Sequence, residues 1–102
     1  MRVAIAGSTG SIGKQTLEVV RAAGDSGKYQ VVALSANSSV AEIVAQAQSF
    51  KPEVVAISDP LARKKVAEHL KPTNPKIEVI DDASQLAMLA DVVVNGVVGF
   101  AG

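Results

Sequence analysis

Short apolar runs alternate with longer segments of mixed polarity along the chain. The runs are rich in valine, isoleucine and alanine, and each has the length of a strand rather than of a helix. Because they are nearly continuously apolar instead of alternating, they are typical of parallel strands that are buried on both faces. The pattern predicts strands at about residues 3–6, 30–34, 54–57, 77–80 and 91–95.

The segments between these runs have apolar residues at the three- and four-residue spacing of helices with one buried face. Asp59 followed by Pro60 is a strong helix start, and Asp81 with Asp82 is expected to cap a short fourth helix. The apolar stripes are Ile12, Thr16, Val19, Val20 and Ala23; Val40, Ile43, Val44 and Ala47; Ala62, Val66 and Leu70; and Leu86 with Leu89. The order β-α-β-α-β-α-β-α-β predicts an α/β fold, a Rossmann-like doubly wound parallel sheet with right-handed crossovers and helices on both faces.

The composition fits one small domain. Of 102 residues, 48% are apolar and only 3% are aromatic, so we expect a core of valine, alanine, isoleucine and leucine. Ten basic and ten acidic residues cancel, which argues against nucleic acid or an anionic membrane as a partner. The absence of cysteine excludes disulfides, thiolate metal sites and a cysteine nucleophile. No apolar run approaches the roughly 20 residues that cross a bilayer.

The two ends of the chain lead to expectations about where the protein works and whether it is part of a longer one. Met1 and Arg2 lead straight into the first strand, which predicts a chain without a signal or transit peptide, working inside a cell or organelle. Residues 99–102 look like the opening of a further turn. We therefore expect residues 1–102 to form one domain that is truncated from a longer protein.

Three glycines, Gly7, Gly10 and Gly13, occupy the turn between the first strand and the first helix. We call residues 7–13 the glycine loop. Glycines let a backbone approach a pyrophosphate closely, and the free N–H groups of the following helical turn bind anions. In an open parallel sheet, ligands bind where the strand order reverses, beyond the carboxyl ends of the strands. The loop therefore predicts a site for the phosphates of a dinucleotide.

Other classes that use related loops fit the sequence less well. A nucleoside-triphosphate loop would need glycine where Ser8 stands and a serine or threonine where Gln15 stands, so ATP hydrolysis is not expected, and Lys14 is predicted to be solvated. Short-chain reductases need a Tyr-x-x-x-Lys pair, but Ala33 stands four residues after Tyr29, the only tyrosine. Reductases with a cysteine nucleophile would find no cysteine in this chain, so both reductase classes would need their catalytic residues in a missing portion.

The turn after the second strand bears on the choice of cofactor. NAD-binding domains usually place a carboxylate about 20 residues after the loop, to hold the ribose 2′-hydroxyl. Here the residues are Asn37, Ser38 and Ser39, which offer amide and hydroxyl donors and no negative charge. This favours NADP over NAD. The alternative, that Ser38 or Ser39 merely caps the second helix, stays open at this point.

With these segments placed, the chain resembles the 1-deoxy-D-xylulose 5-phosphate reductoisomerase family at its N-terminal part. The segments that carry the resemblance are residues 7–13, 16–21, 31–40 and 96–102. The resemblance implies an NADPH-dependent enzyme of the non-mevalonate isoprenoid pathway. Such an enzyme rearranges and reduces 1-deoxy-D-xylulose 5-phosphate to 2-C-methyl-D-erythritol 4-phosphate with a divalent metal, Mg or Mn. It further implies a homodimer in the bacterial cytoplasm or, without its transit peptide, in the plastid stroma.

The resemblance also implies which positions contact the cofactor. Those for the diphosphate are Thr9, Gly10, Ser11 and Ile12, and those for the adenosine ribose and its 2′-phosphate are Asn37, Ser38 and Ser39. Gly96 and Val97 match positions along the nicotinamide. Family members often have a lysine where this chain has Ser38, so the preference for NADP is the property that this departure affects.

The remaining functional parts of the family lie beyond residue 102, as the resemblance implies: the metal-binding carboxylates, the substrate phosphate site and the lid. We therefore assign no catalytic or metal-binding residue here and expect this chain alone not to turn over substrate. His69 is expected at the surface near helix C-terminal carbonyls, and residues 63–65 on a solvated helix face. A free-standing nucleotide-binding module with a regulatory or sensor role remains the alternative.

Overall fold

The computed structural model describes residues 1–23, 29–81, 86 and 88–95. Within these ranges the predicted strands are confirmed to within two residues at each end, and the first three predicted helices are confirmed as helices. The predicted buried stripe of the first helix is wrong: its buried residues are Gly13 and Leu17, whereas Ile12 and Val19 are exposed, because the helix packs closely on the turn that precedes it. The elements in chain order are β1 Arg2–Ala6, α1 Ser11–Ala23, β2 Gln30–Ala36, α2 Val40–Phe50, β3 Val54–Ile57, α3 Pro60–Leu70, β4 Glu78–Ile80 and β5 Val92–Asn95.

The strands form one parallel sheet in the order β4-β3-β2-β1-β5, which confirms the predicted Rossmann-like α/β fold. The chain moves from β1 outward through β2, β3 and β4, and then returns to the opposite side of β1 to form β5. The strand order therefore reverses at β1. The loop that follows β1 lies at the position where open parallel sheets bind ligands.

The three helices share one face of the sheet. Side chains from α1, α2 and α3 pack there with Ile5 of β1 and Ile57 of β3 in a single buried cluster. This follows from the topology, because right-handed crossovers that step in one direction place their helices on the same face. The return to β5 crosses the opposite face, where Leu86 packs against Ala4 and Ala56.

The prediction of a helix on that second face is therefore only partly tested. Leu86 and Met88 lie in a 3₁₀ turn, and Leu86 is buried. Asp82, which we expected to help cap the fourth helix, lies outside the described residues. In the described part of the chain, the helices cover one face, and Leu86, Leu89 and Ala90 contribute to covering the other.

A β-bulge in β2 sets which side chains reach each face. Val3 pairs with Val31 but Ala4 pairs with Ala33, so Val32 is an extra residue in the ladder. After the bulge, Leu34 packs on the helical face. The bulge thus determines which side chains of β2 point to each face of the sheet, just before β2 reaches the glycine loop.

Local capping signals in the sequence correspond to the observed helix ends. The Asp59 side chain accepts a hydrogen bond from Ala62 N at 2.8 Å, and Pro60 is the first residue of α3, as predicted. Helix α2 ends at Phe50, and its C-cap residue Lys51 has a left-handed backbone with φ 51°. None of the helices in the described ranges has the length and apolar character needed to cross a membrane.

Candidate cofactor-binding site

The glycine loop turns sharply as it leaves β1. Gly7 has φ 72°, a left-handed conformation that glycine adopts without the steric cost of a side chain. Gly10 N donates to Gly7 O at 3.1 Å and closes the turn. Lys14 N then donates to Gly10 O at 2.9 Å, the first bond of α1. The N–H groups of Ser11, Ile12 and Gly13 precede that bond, so the helix itself offers them no acceptor.

Gly13 allows α1 to pack directly on the loop. A Cβ atom at this position would lie 2.5 Å from Gly7 O and 2.6 Å from Ser8 Cα. Both contacts are to backbone, which cannot rotate away as a flexible side chain could. The third glycine of the motif is therefore required for close packing, and the first for its backbone conformation.

The end of β2 holds the start of the loop. Ser8 N donates to Ser35 O at 2.8 Å, and Gly7 N donates to the Ser35 hydroxyl at 3.0 Å. Ser35 is buried, so these bonds are shielded from water. Sequence reasoning placed Ser35 only at the end of the second predicted strand, after residue 34. Its role as an anchor depends on β1 and β2 being neighbours.

A second anchor comes from α2. The Ser8 hydroxyl donates to Gln46 Oε1 at 2.7 Å, and Gln46 Nε2 donates to Ser8 O at 2.9 Å. Ser8 is fully buried. Sequence reasoning missed Gln46, although a signal was present: it lies three residues after Ile43, beside the buried stripe of its helix.

Residues 37–39, which we call the β2–α2 turn, follow β2 at the same edge of the sheet. Ser38 is exposed, and its carbonyl accepts from Val40 N at 2.9 Å. Ser39 occupies the N-cap position of α2, but its side chain makes no capping hydrogen bond. The alternative in which the Ser39 hydroxyl serves only as a helix cap is therefore not supported.

Asn37 is oriented by the neighbouring strand. The Ser58 hydroxyl, just after β3, donates to Asn37 Oδ1 at 2.6 Å. Asp59 N also donates to Asn37 O at 3.1 Å. With its side-chain oxygen engaged by Ser58, Asn37 presents its amide N–H groups as donors. A cavity of about 200 Å³ lies between these strand ends, and its lining includes Gly7, Asn37, Ser58 and Asp81.

The charged residues near the loop have surface partners. Lys14 Nζ lies 2.8 Å from Glu42 Oε2, and both side chains are about half exposed. Such a pair contributes roughly 0–1 kcal/mol to stability. Lys14 is therefore a surface residue between α1 and α2, as predicted, and not the phosphate-binding lysine of a nucleoside-triphosphate loop.

Of two other predictions about charged residues, the one for residues 63–65 changes at Arg63, and the surface position of His69 is confirmed. Arg63 is half-buried, and its Nη1 donates to Ile57 O at 3.2 Å, whereas Lys64 and Lys65 are exposed as expected. His69 is exposed in the last turn of α3. At the end of that helix, backbone N–H groups of the following turn bond to the carbonyls near His69: Lys71 N to Ala67 O, and Thr73 N and Asn74 N to Leu70 O.

The structure places both predicted groups of cofactor-contacting residues at one edge, after the neighbouring strands β1 and β2. Thr9, Gly10 and Ser39 are half-buried, and Ser11, Ile12, Asn37 and Ser38 are exposed. Gly96 and Val97 lie outside the described residues, but β5 ends beside Ala6 at the same edge. No group of three or more histidine or acidic side chains that could hold a metal occurs in the described part of the chain.

Comparisons with known proteins agree with this geometry. The family model of 1-deoxy-D-xylulose 5-phosphate reductoisomerase matches residues 3–102. The enzyme of that name from Nitrosococcus oceani is 41% identical over 105 residues, which cover 98% of this chain and 26% of the relative. The one from Agathobacter rectalis is 40% identical over 104 residues, covering 99% and 27%. The chain thus spans about a quarter of the length of these relatives.

Solved structures extend the similarity to three dimensions. The reductoisomerase from Zymomonas mobilis in complex with NADPH has a TM-score of 0.75 and 31% identity, covering 90% of this chain and 24% of the other. A second, DOX-P reductoisomerase with NADPH, fosmidomycin and magnesium, has a TM-score of 0.78 and 26% identity, covering 91% and 23%. By its sequence match and its fold, the chain belongs to the 1-deoxy-D-xylulose 5-phosphate reductoisomerase family.

Proposed function

We propose that this chain binds NADPH and forms the cofactor-binding part of a 1-deoxy-D-xylulose 5-phosphate reductoisomerase. The observation that carries the proposal is the glycine loop, which is held at the reversal of strand order and opens onto the first turn of α1. Relatives solved with NADPH share the fold of this part. The conversion of the sugar phosphate to 2-C-methyl-D-erythritol 4-phosphate belongs to the whole enzyme, of which this chain spans about a quarter.

The diphosphate would lie against Thr9, Gly10, Ser11 and Ile12. The first-turn N–H groups supply donors that no helical carbonyl can satisfy. The helix dipole adds about 0.3–1 kcal/mol for an anion at this end. The left-handed Gly7 and the absent side chain of Gly13 keep the loop and the helix close together.

The adenosine ribose and its 2′-phosphate would lie at the β2–α2 turn. Asn37 offers amide donors because Ser58 engages its side-chain oxygen, and Ser38 and Ser39 offer hydroxyls. This turn contains no carboxylate that would repel a 2′-phosphate or accept a hydrogen bond from a 2′-hydroxyl. These features support a preference for NADPH over NADH. Without the lysine that relatives often carry at the position of Ser38, we expect that preference to be modest.

NADPH supplies a hydride when it is bound, and the protein supplies binding and orientation. The loop would fix the diphosphate, and the end of β5 beside Ala6 would lie on the nicotinamide side of the reversal point. The described residues do not form a metal site, so no step is assigned to a metal held by them. The homodimer, the divalent metal and the cytoplasmic or stromal location of the whole enzyme stay predictions, as does the assignment of residues 1–102 to one truncated domain.

Calorimetric titration of the 102-residue chain with NADPH, NADH and ATP tests the proposal. We expect NADPH to bind most tightly. Tighter binding of ATP, or no binding of any of the three ligands, would reject a dinucleotide site. In a separate assay with 1-deoxy-D-xylulose 5-phosphate and Mg²⁺, we expect no oxidation of NADPH, and measurable turnover would contradict the assignment of the chemistry to other parts of the enzyme.

A further inference from the structure

One side chain of α2 supplies two of the hydrogen bonds made by Ser8, a buried residue of the glycine loop. Gln46 accepts from the Ser8 hydroxyl at 2.7 Å and donates to Ser8 O at 2.9 Å. Ser8 N is bonded to Ser35 O at 2.8 Å. Because Ser8 is fully buried, water cannot replace a partner that is lost. The Ser8 hydroxyl also lies 3.3 Å from Ser35 O, so its proton has a second acceptor. Gln46 Nε2 is the one donor to Ser8 O within the described residues, and the orientation of Ser8 O therefore depends on Gln46.

This contact determines the orientation of the peptide that joins Ser8 to Thr9. The C=O and N–H groups of a trans peptide point in opposite directions. Since Ser8 O is held towards α2, the N–H of Thr9 is directed away from α2. That N–H has no hydrogen-bond partner among the described residues. A flipped peptide would instead present the partial negative charge of the Ser8 carbonyl on the side where the Thr9 N–H now lies.

We propose that Gln46 is a positioning residue that holds the Ser8–Thr9 peptide so that the N–H of Thr9, and not the carbonyl of Ser8, faces the cofactor diphosphate. The inference rests on the proposed function, since the diphosphate is the group that the loop would meet. Gln46 acts through Ser8 and does not itself contact the cofactor. It also links the glycine loop to α2, the helix that begins at the β2–α2 turn.

The substitution Gln46→Met tests this role, because methionine has a similar length but cannot form either bond. Gln48→Met is the matched control: Gln48 lies on the same helix and is exposed, with its Nε2 3.3 Å from Thr73 Oγ1. Two ligands distinguish the position of the diphosphate from that of the 2′-phosphate. NADPH carries both a diphosphate and a 2′-phosphate, whereas adenosine 2′-monophosphate carries no diphosphate.

We expect Gln46→Met to bind NADPH about tenfold more weakly than wild type and to bind adenosine 2′-monophosphate unchanged. Gln48→Met should match wild type with both ligands. Circular dichroism establishes that each variant is folded at the temperature of the titration. Equal losses for both ligands would mean that Gln46 has only a general structural role, and an unchanged NADPH affinity would overturn the proposal outright.

Nuclear magnetic resonance on the ligand-free chain gives a readout that is independent of cofactor binding. The Thr9 nitrogen belongs to the Ser8–Thr9 peptide, so loss of the hydrogen bond to Ser8 O should change the Thr9 ¹⁵N chemical shift in Gln46→Met, and Gln48→Met should match wild type. An unchanged Thr9 shift in Gln46→Met would overturn the proposal. If wild type fails to bind NADPH, the proposed function falls while the Thr9 shift still decides whether Gln46 holds the peptide. Should Gln46→Met not fold, Gln46→Glu keeps an acceptor for the Ser8 hydroxyl but loses the donor to Ser8 O, so the same comparisons apply.

Discussion

The two segments of the proposed cofactor site differ in how firmly the protein holds them. The glycine loop is tied to β2 through Ser35 and to α2 through Gln46, and its second residue, Ser8, is fully buried. In the β2–α2 turn, Asn37 and Ser38 are exposed, and the turn's one side-chain hydrogen bond within the described residues joins Asn37 to Ser58.

This difference indicates a division of roles. A loop whose backbone is fixed before the ligand arrives contributes affinity, because little ordering remains to be done on binding. An exposed turn with few bonds can change its side chains at low cost to stability, so it is suited to set which dinucleotide is preferred. Substitutions in the loop should therefore affect folding and all dinucleotides, and substitutions in the turn should affect the ratio between them.

The largest effect is expected for Gly13→Ala. The new Cβ would lie 2.5 Å from Gly7 O, and relief of that clash requires the loop and α1 to move apart. We expect the free energy of unfolding to fall by about 3 kcal/mol and NADPH binding to be lost. Urea denaturation and calorimetry measure the two effects. Ala22→Ser, an equally small change at an exposed position of the same helix, serves as the control. Wild-type binding by Gly13→Ala would show that close packing here is dispensable.

A smaller loss is expected for Gly7→Ala, where the cost is conformational. At φ 72°, an alanine side chain is strained by about 1–2 kcal/mol. We expect the free energy of unfolding to fall by that amount and the affinities for NADPH and NADH to fall together. Gly7→Asn is the informative partner, because asparagine tolerates a left-handed backbone better and should lose less. If alanine and asparagine prove equally costly, left-handed strain is not what requires glycine.

In the β2–α2 turn, Ser38→Asp should act on cofactor preference instead of stability. A carboxylate here would repel the 2′-phosphate, and we expect NADPH to bind about fivefold more weakly while NADH is unchanged or improved. Ser38→Asn, which has the same shape without the charge, is the control. Because Ser38 is exposed, added salt should reduce the effect. A parallel loss of NADPH and NADH would place the 2′-phosphate elsewhere.

The smallest effect is expected for Ser58→Ala. Removing the hydroxyl frees Asn37 Oδ1, so the amide can turn and present an acceptor to the ligand. We expect the ratio of NADPH to NADH affinity to fall about twofold, with the free energy of unfolding within about 0.5 kcal/mol of wild type. Paired titrations and thermal melts are needed at this sensitivity. An unchanged ratio in a Ser58→Ala variant would show that Ser58 does not contribute to the preference between NADPH and NADH.

Local patterns in the sequence determined much of the fold. Apolar runs of strand length and stripes of helical spacing predicted the five strands and three helices within the described ranges, because burial of apolar surface requires those periods. The start of α3 followed from Asp59 and Pro60, whose effects on a helix end are local. The glycine loop could also be predicted from the sequence, because Gly7 and Gly13 are required by a strand, a turn and a helix that are adjacent in sequence.

Only the tertiary structure decided how distant residues meet at this site. Ser35 and Gln46 lie 27 and 38 residues from Ser8, and no periodicity indicates that both bond to it. The bulge at Val32 determines which side chains of β2 lie on each face of the sheet, and it depends on pairing with β1. Sequence pattern determines what each segment can bury. The hydrogen bonds that fix a loop depend on which strands become neighbours, and that is settled by the packing of the whole sheet.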